Sequence, residues 1–173
     1  ETGGSADEVA VLYRSNAQSR VIEEALLRAN IAYQIYGGQR FFERAEIKNA
    51  LAYMRLIEDR HSDPAFERVV NTPPRGIGDK SIESIRQLAR QRQQSMWTAA
   101  KAGISEGLLA ARVQKTVGAF IQLMDDLAEA VAPMTLEELA EHVIEVSGLM
   151  AFHSQERGER GLARKENLQE LVA

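Results

Sequence analysis

Apolar positions recur at helical spacing along most of this chain. Five sets show it: Val21, Ile22, Ala25, Leu26 and Ala29; Ile47, Ala50, Leu51, Met54 and Ile57; Ile82, Ile85 and Ala89; Phe120, Met124, Leu127 and Val131; and Leu136, Leu139, Val143 and Val146. Intervals of three and four residues place each set on one face of a helix. Shorter helices are predicted at residues 66–70, after the Asp63-Pro64 start signal, and at 96–102. Residues 156–165 are predicted to be an exposed loop, and 166–172 the start of another helix.

Two short apolar runs near the beginning have a different pattern. Residues 9–13 and 32–36 are continuous or nearly continuous in apolar side chains, which is typical of strands in a parallel sheet, and the first is predicted to be buried on both faces. The helix between them completes a βαβ unit, with Ser15 or Asn16 as its cap. Because two strands do not make a stable parallel sheet, this unit is predicted to be a piece of a larger α/β domain.

A turn at residues 71–81 joins two of the predicted helices. Pro73 and Pro74 end the preceding helix, and the glycines of Gly76-Ile77-Gly78 permit a tight turn ahead of a helix starting at about Ser81. Unpaired amides and the helix dipole at such a start favour an anion. With Arg75 and Lys80 on either side, the turn is predicted to hold a nucleic-acid phosphate without reading a base.

The same turn has two interpretations. Helix 66–70, the turn and helix 81–92 together resemble a helix-hairpin-helix DNA-binding element, whereas the simpler alternative is a turn that only connects two helices. It is not a nucleotide-binding phosphate loop, because Asp79 precedes Lys80 and the required glycine spacing is absent. Charge favours DNA: residues 68–92 contain six basic and two acidic side chains, although the whole chain has a net charge of −4.

Composition narrows the remaining chemistry. The absence of cysteine excludes disulfides, thiolate metal sites and cysteine nucleophiles, and fits a cytoplasmic location. His61, His142 and His153 lack zinc-ligand spacing, so neither a catalytic residue nor a metal site is predicted. No apolar run has membrane-spanning length, and residues 1–5 are predicted to be a linker rather than a signal peptide. Aromatic side chains that could stack on bases are more often core residues: Tyr33, Tyr36, Phe41, Phe42 and Trp97.

Three stretches together resemble the UvrD/PcrA/Rep family of superfamily 1 DNA helicases. They are residues 12–20 (LYRSNAQSR), 36–48 (YGGQRFFERAEIK) and 71–78 (NTPPRGIG), in the family's order and spacing. The resemblance implies a fragment of an ATP-dependent 3′–5′ helicase of DNA repair. It implies that residues 1–40 belong to the second RecA-like motor domain, 2A, and that residues 41–173 are its mainly α insertion, 2B. On this basis we expect a mainly α fold, attached to a βαβ fragment of a RecA-like α/β domain.

The resemblance also implies DNA contacts. The 2B-like turn is expected to contact the duplex ahead of the fork through Thr72, Arg75, Gly76, Ile77, Gly78 and Lys80. Arg14 and Asn16 match positions near the family's single-stranded DNA track, although on the residues alone an exposed arginine and a helix cap are the simpler interpretation.

Family motifs that this chain lacks limit what it can do alone. It contains no Walker A lysine, no Walker B acidic pair and no motif that supplies an arginine finger. We therefore expect no cofactor in this fragment, no ATP hydrolysis and no unwinding, with ATP and magnesium acting in the parent helicase. Expected partners are duplex and single-stranded DNA, the remaining helicase domains and repair proteins, but no membrane.

Two other functions fit the sequence. A protein-interaction or autoinhibitory domain would use the acidic residues of segment 137–145, which contains no lysine or arginine. A standalone helix-hairpin-helix module would use only the Gly-Ile-Gly turn, but the incomplete βαβ unit argues against it.

Overall fold

The structure, a computed structural model, describes residues 9–36 and 38–173 and is mainly helical, as predicted. Its helices are α1 (Ser19–Arg28), α2 (Ala45–Glu58), α3 (Asp63–Val69), α4 (Asp79–Arg92), α5 (Met96–Ser105), α6 (Ala111–Val131), α7 (Leu136–Val146), α8 (Leu149–Ser154) and α9 (Glu159–Val172). Single 3₁₀ turns at Asn16–Gln18 and Phe41–Glu43 precede α1 and α2. The predicted linker at residues 1–5 lies outside the described residues.

Helix α2 lies at the centre of the core. It packs against α3, α6, α7 and α9, so its buried residues are surrounded by four helices. Phe66 of α3 contacts Trp97 of α5 and Phe120 of α6 edge-to-face, with ring centroids 6.5 and 5.8 Å apart. Full burial of each such side chain contributes roughly 1.5–3 kcal/mol. The core predicted from helical periodicity is confirmed for α4 and α6 and in part for α2, and Trp97 is a core residue. It is wrong for α1, where the predicted apolar face is exposed or half-buried, and for most of α7, where Leu136 and Val146 are exposed.

The βαβ prediction is wrong for the described residues, which contain no β-strand. Residues 9–12 are exposed rather than buried, with Leu12 94% accessible, and the predicted second strand at 32–36 does not pair with them. A strand exists only when its backbone groups bond to a neighbouring strand. An apolar run indicates that side chains can be buried, but not that a partner strand lies beside it.

A buried arginine joins the first forty residues to the helical part. Arg44 donates hydrogen bonds of 2.7 Å to the Asn16 carbonyl, 2.7 Å to Ser19 Oγ and 2.8 Å to Asn167 Oδ1 on α9. Asn167 in turn donates to Glu46 Oε1 at 2.6 Å. Burial lowers the pKa of Arg44, although the nearby Glu23 and Glu46 carboxylates oppose that change. The boundary predicted between residues 40 and 41 is thus crossed by a polar network.

The loop predicted at residues 156–165 is mostly helix, because α9 begins at Glu159. Gly161 suggested a loop but serves close packing inside the helix: a Cβ there would lie 2.4 Å from the Glu156 carbonyl oxygen. Arg164 holds the Glu156 carboxylate at 2.7 and 2.8 Å, which fixes the segment before α9 onto the helix. Across the described ranges, no helix is long and apolar enough to cross a membrane.

Candidate nucleic-acid interface

The predicted turn lies at the N-terminus of α4. Gly78 is the N-cap residue, is exposed and provides no side chain to cap the helix. Its carbonyl accepts from the amides of Ser81 and Ile82 at 2.9 and 3.2 Å. Among the described residues, the amides of Gly78, Asp79 and Lys80 donate to no protein acceptor. These amides, together with the helix dipole, are therefore available to an anion.

Asn71 fixes the shape of the loop between α3 and α4. Its Oδ1 accepts from the amides of Arg75 at 2.7 Å and Ile77 at 3.2 Å, so one side chain holds both arms of the turn. Ile77 is fully buried and anchors the loop in the core. Gly76 beside it has φ of +77°, a backbone conformation that glycine adopts without steric cost. The flanking glycines are exposed and the residue between them is not.

Arg75 points into the protein rather than toward a ligand. Its Nη1 donates to the carbonyls of Val69 and Pro73 at 3.2 and 3.0 Å. Its Nη2 donates to the Tyr53 hydroxyl at 2.6 Å and to the Ser147 carbonyl at 2.8 Å. With four internal acceptors, the guanidinium ties the loop to α2 and to the end of α7. This geometry gives Arg75 a structural role in holding the loop, and it does not support the predicted phosphate contact.

Tyr53 of α2 and Arg75, with the carbonyls that they bind, form a hydrogen-bonded brace of the loop. The Tyr53 hydroxyl donates to the Thr72 carbonyl at 2.6 Å while it accepts from Arg75. Burial raises the pKa of Tyr53 to about 12, although the Arg75 cation opposes that rise. The phenol is therefore protonated at neutral pH and can donate. Thr72 contributes its carbonyl to the brace, which sets the position of the turn.

The helix-hairpin-helix arrangement is not supported. Helix α3 packs chiefly on α2, whereas α4 packs along α5. Residues 70–78 separate α3 from α4, and among the described residues a single ion pair, from Arg86 Nε to Glu67 Oε1 at 2.7 Å, joins the two helices. The phosphate site predicted at the turn thus depends on the N-terminus of α4 and the braced loop, not on a two-helix hairpin.

Pairing within the protein reduces the basic excess of residues 68–92. Besides Arg75, Arg86 pairs with Glu67 and Glu83, and Arg92 forms two hydrogen bonds to Glu106 at 2.7 and 2.6 Å. The Arg92 hydrogen bonds lower the pKa of Glu106. Lys80 is exposed and makes no ion pair to any described residue, so it remains a candidate for the phosphate contact predicted from the sequence.

Arg112 lies near the turn, and no pattern in the sequence indicates this. Its Nη2 is 3.9 Å from the position that a Cβ would occupy at Gly76. It stands in the first turn of α6, 36 positions along the chain from Gly76, and local sequence patterns do not report such a contact.

The predicted single-strand residues lie away from this loop in the sequence, on the 3₁₀ turn before α1. Ser15, not Asn16, caps that turn, because its side chain accepts from the Ala17 amide at 3.4 Å. Asn16 therefore has an exposed side chain, and its carbonyl is held by Arg44. Arg14 is also exposed, with its amide bonded to Gln18 Oε1 at 3.1 Å. Both side chains are thus accessible.

The other candidates divide between core and surface. Phe41 is fully buried and Tyr36 is 88% exposed, while the Tyr33 hydroxyl donates to Glu23 at 3.2 Å. Within residues 9–36 and 38–173, no group of histidine and carboxylate side chains could hold a metal ion.

A model of the UvrD-like helicase C-terminal domain matches residues 1–173. The chain belongs to the UvrD-like helicase family. It is 53% identical over 172 residues to DNA helicase II of Escherichia coli and equally similar to DNA helicase II of Haemophilus influenzae. It is 35% identical to the ATP-dependent DNA helicase PcrA of Staphylococcus epidermidis. Each match covers 99% of this chain and 24% of the relative.

This UvrD-like chain thus spans about a quarter of the length of the relatives it matches. The family predicted from its three sequence stretches is confirmed. The division into 2A and 2B at residue 40 and the individual DNA contacts stay predictions.

Proposed function

We propose that this chain is the part of a UvrD-like DNA helicase that grips duplex DNA ahead of the fork. In this proposal residues 41–173 are the 2B insertion and residues 1–40 belong to motor domain 2A. The parent enzyme moves 3′ to 5′ in DNA repair, and the chain orients its motor on the duplex. The family membership supports the helicase assignment, and the exposed glycines Gly76 and Gly78 support the duplex contact.

The observation that carries the proposal is the uncapped start of α4. Three amides, those of Gly78, Asp79 and Lys80, have no acceptor among the described residues and belong to exposed residues, where a phosphate oxygen can approach the backbone closely. Amides that bind phosphate do not distinguish bases, so the contact is independent of sequence. That property suits an enzyme that must work on any duplex.

Charge limits the strength of this contact. Lys80 attracts phosphate, but the exposed carboxylate of Asp79 in the first turn of α4 opposes it. We therefore expect the chain alone to bind duplex with a Kd on the order of 10⁻⁴ to 10⁻⁶ M, as for non-specific contacts. A salt titration with duplexes of unrelated sequence tests this. Equal affinities that weaken with salt are expected, and binding that does not change with salt would contradict the proposal.

ATP and magnesium act elsewhere in the parent helicase under this proposal. The chain has no phosphate-loop lysine motif, so isothermal calorimetry with ATP and magnesium should detect no binding to it. Micromolar affinity would show that a nucleotide site had been missed.

Arg14 and Asn16 are proposed to serve single-stranded DNA. In the full-length helicase, Asn16→Ala should weaken single-strand binding more than ATP binding, because the side chain is exposed and makes no bond that the fold requires. Unchanged single-strand affinity would leave Asn16 without that role.

A specific observation favours a second function. On α7, Leu136 is 79% exposed, and four glutamates of the same helix are also exposed: Glu137, Glu138, Glu141 and Glu145. An apolar residue within an acidic surface suits a basic protein partner, such as a repair protein or another domain of the helicase. If Glu141→Gln and Glu145→Gln changed unwinding in the parent while duplex affinity stayed constant, this regulatory function would be favoured.

A further inference from the structure

Arg112 occupies the flanking position that the sequence had suggested for Arg75. Its Nη2 lies 3.9 Å from the position that a Cβ would occupy at Gly76, the glycine at positive φ, and the residue is exposed. Among the described residues its guanidinium has no hydrogen-bond or ion-pair partner, whereas that of Arg75 has four acceptors. A free cation therefore stands directly beside the backbone of the turn.

The location of Arg112 in its helix is unfavourable for folding. Helix α6 begins at Ala111, has no side-chain cap and has no acidic residue in its first turn. Arg112 and Lys115 instead place two positive charges near the positive end of the helix dipole. Both are exposed, and their three-residue spacing puts them on one side of the helix. These cations are placed against the usual charge preference of a helix start, and no partner within the fold explains them. Such exceptions are expected at functional sites.

We propose that Arg112 binds a DNA backbone phosphate next to the one held at Gly76–Gly78, and that Lys115 extends this contact by one helical turn. The proposal rests on the proposed function and adds residues to its duplex-binding surface. Phosphate is the appropriate ligand, because a planar guanidinium binds phosphate oxygens in pairs and two neighbouring cations follow a repeating anion. The surface thus combines α4 amides with α6 cations.

The test is duplex binding by the full-length helicase, measured by fluorescence anisotropy with a blunt duplex over a range of salt concentrations. Removing one phosphate contact should make the slope of log K against log salt less negative by about 0.9. Arg112→Gln should do this and weaken low-salt binding several-fold, while its melting temperature stays constant or rises. Arg112→Lys keeps the charge and should keep the slope.

Arg55→Gln is the matched control, since it removes the same charge from an exposed residue. Arg55 is two residues from Tyr53 on α2, a rotation of roughly 200°, so it faces away from the braced loop. Its slope should equal that of the unaltered protein. A slope for Arg112→Gln equal to that of Arg55→Gln would overturn the proposal, as would a lower melting temperature with an unchanged slope.

Gly78→Ser in the same assay separates this inference from the function on which it rests. If Gly78→Ser weakens binding but Arg112→Gln does not, the turn binds duplex and Arg112 takes no part, so the inference is wrong. If neither variant weakens binding, the duplex function itself fails and the inference fails with it. If both weaken binding and only Arg112→Gln changes the slope, both hold.

Discussion

Arg75 donates a 2.6 Å hydrogen bond from Nη2 to the hydroxyl of Tyr53, and the guanidinium carbon lies 5.8 Å from the centre of the Tyr53 ring. Arg75, which the sequence predicts to contact a phosphate, thus directs its guanidinium to acceptors within the protein. Its bonds fix the loop that presents Gly76 and Gly78, so in the proposed duplex contact its part is to position the turn.

Arg75→Ala should destabilise the 173-residue chain by about 2 kcal/mol, because buried acceptors lose a charged donor. Urea denaturation monitored by circular dichroism measures this. Arg112→Ala, which removes an unpaired exposed arginine, should change stability by less than about 0.5 kcal/mol. Equal effects of the two substitutions would show that the brace contributes nothing specific.

The raised pKa of Tyr53 predicts a loss of stability at high pH. Its folded value of about 12 exceeds the ordinary value of 10.0, so the folded state holds the phenolic proton more tightly. That contribution is fully present below pH 10 and is lost as pH rises from 10 to 12. Two pKa units correspond to on the order of 2–3 kcal/mol. Urea midpoints at pH 9, 10 and 11 should fall more steeply in the unaltered chain than in Tyr53→Phe, and parallel curves would contradict the assignment.

Two helical glycines should respond oppositely to alanine. Alanine normally stabilises a helix by roughly 0.5–1 kcal/mol relative to glycine, and Gly118→Ala in α6 should do so because its Cβ would meet its nearest neighbour only at 3.9 Å. Gly161→Ala should instead destabilise by about 1–3 kcal/mol, because its Cβ would collide with the Glu156 carbonyl. Thermal melting of both variants checks the pair. Stabilisation by Gly161→Ala would place the start of α9 differently.

Arg44→Ala should cost about 3 kcal/mol, because it leaves buried acceptors on the 3₁₀ turn, α1 and α9 without their donor. Arg44→Lys should rescue little, since one ammonium cannot reproduce the planar fork. The exposed Arg40 supplies the control: Arg40→Ala should be nearly neutral in the same urea titration. A neutral Arg44→Ala would mean that the first forty residues do not depend on this network.

Sequence reasoning was reliable where a property is local. Helical periodicity located α2, α4 and α6. A capping-box pattern is likewise local: Thr135 and Glu138 have its spacing, and the Glu138 carboxylate lies 2.7 Å from the Thr135 amide. That backbone hydrogen bond lowers the pKa of Glu138. The motif-like turn at Gly76–Gly78 was also recognised, because glycines, prolines and a following helix are adjacent in the chain.

Sequence reasoning failed where the deciding partner is distant. The apolar run at residues 9–13 predicted a strand, but strands depend on neighbours. The phosphate contact of Arg75 stays a prediction, but its internal acceptors at Tyr53 and the Ser147 carbonyl are too distant in sequence to have been foreseen. Gly161 suggested a loop because glycine is rare inside helices. Its reason for being in α9, the close approach of the Glu156 carbonyl, appears only in the folded chain. Arg112 was overlooked because its proximity to Gly76 arises only from packing.

The central claim is that the amides at the start of α4 bind duplex phosphate, and Gly78→Ser tests it most directly. Gly76 is unsuitable, because any side chain at φ +77° strains the fold. Gly78 has φ of −80°, and a Cβ there meets nothing within 4 Å. Serine is favoured over glycine at an N-cap, and its hydroxyl would occupy the amides that phosphate needs.

The measurement is the Kd of the full-length helicase for a blunt duplex at low salt, with the melting temperature of each protein as the folding control. The account predicts that Gly78→Ser melts at the same or a higher temperature and binds duplex about tenfold more weakly, as expected for loss of one charge-assisted hydrogen bond of roughly 1.5 kcal/mol. An unchanged Kd with an unchanged or higher melting temperature would contradict it and leave the turn as a connector between two helices.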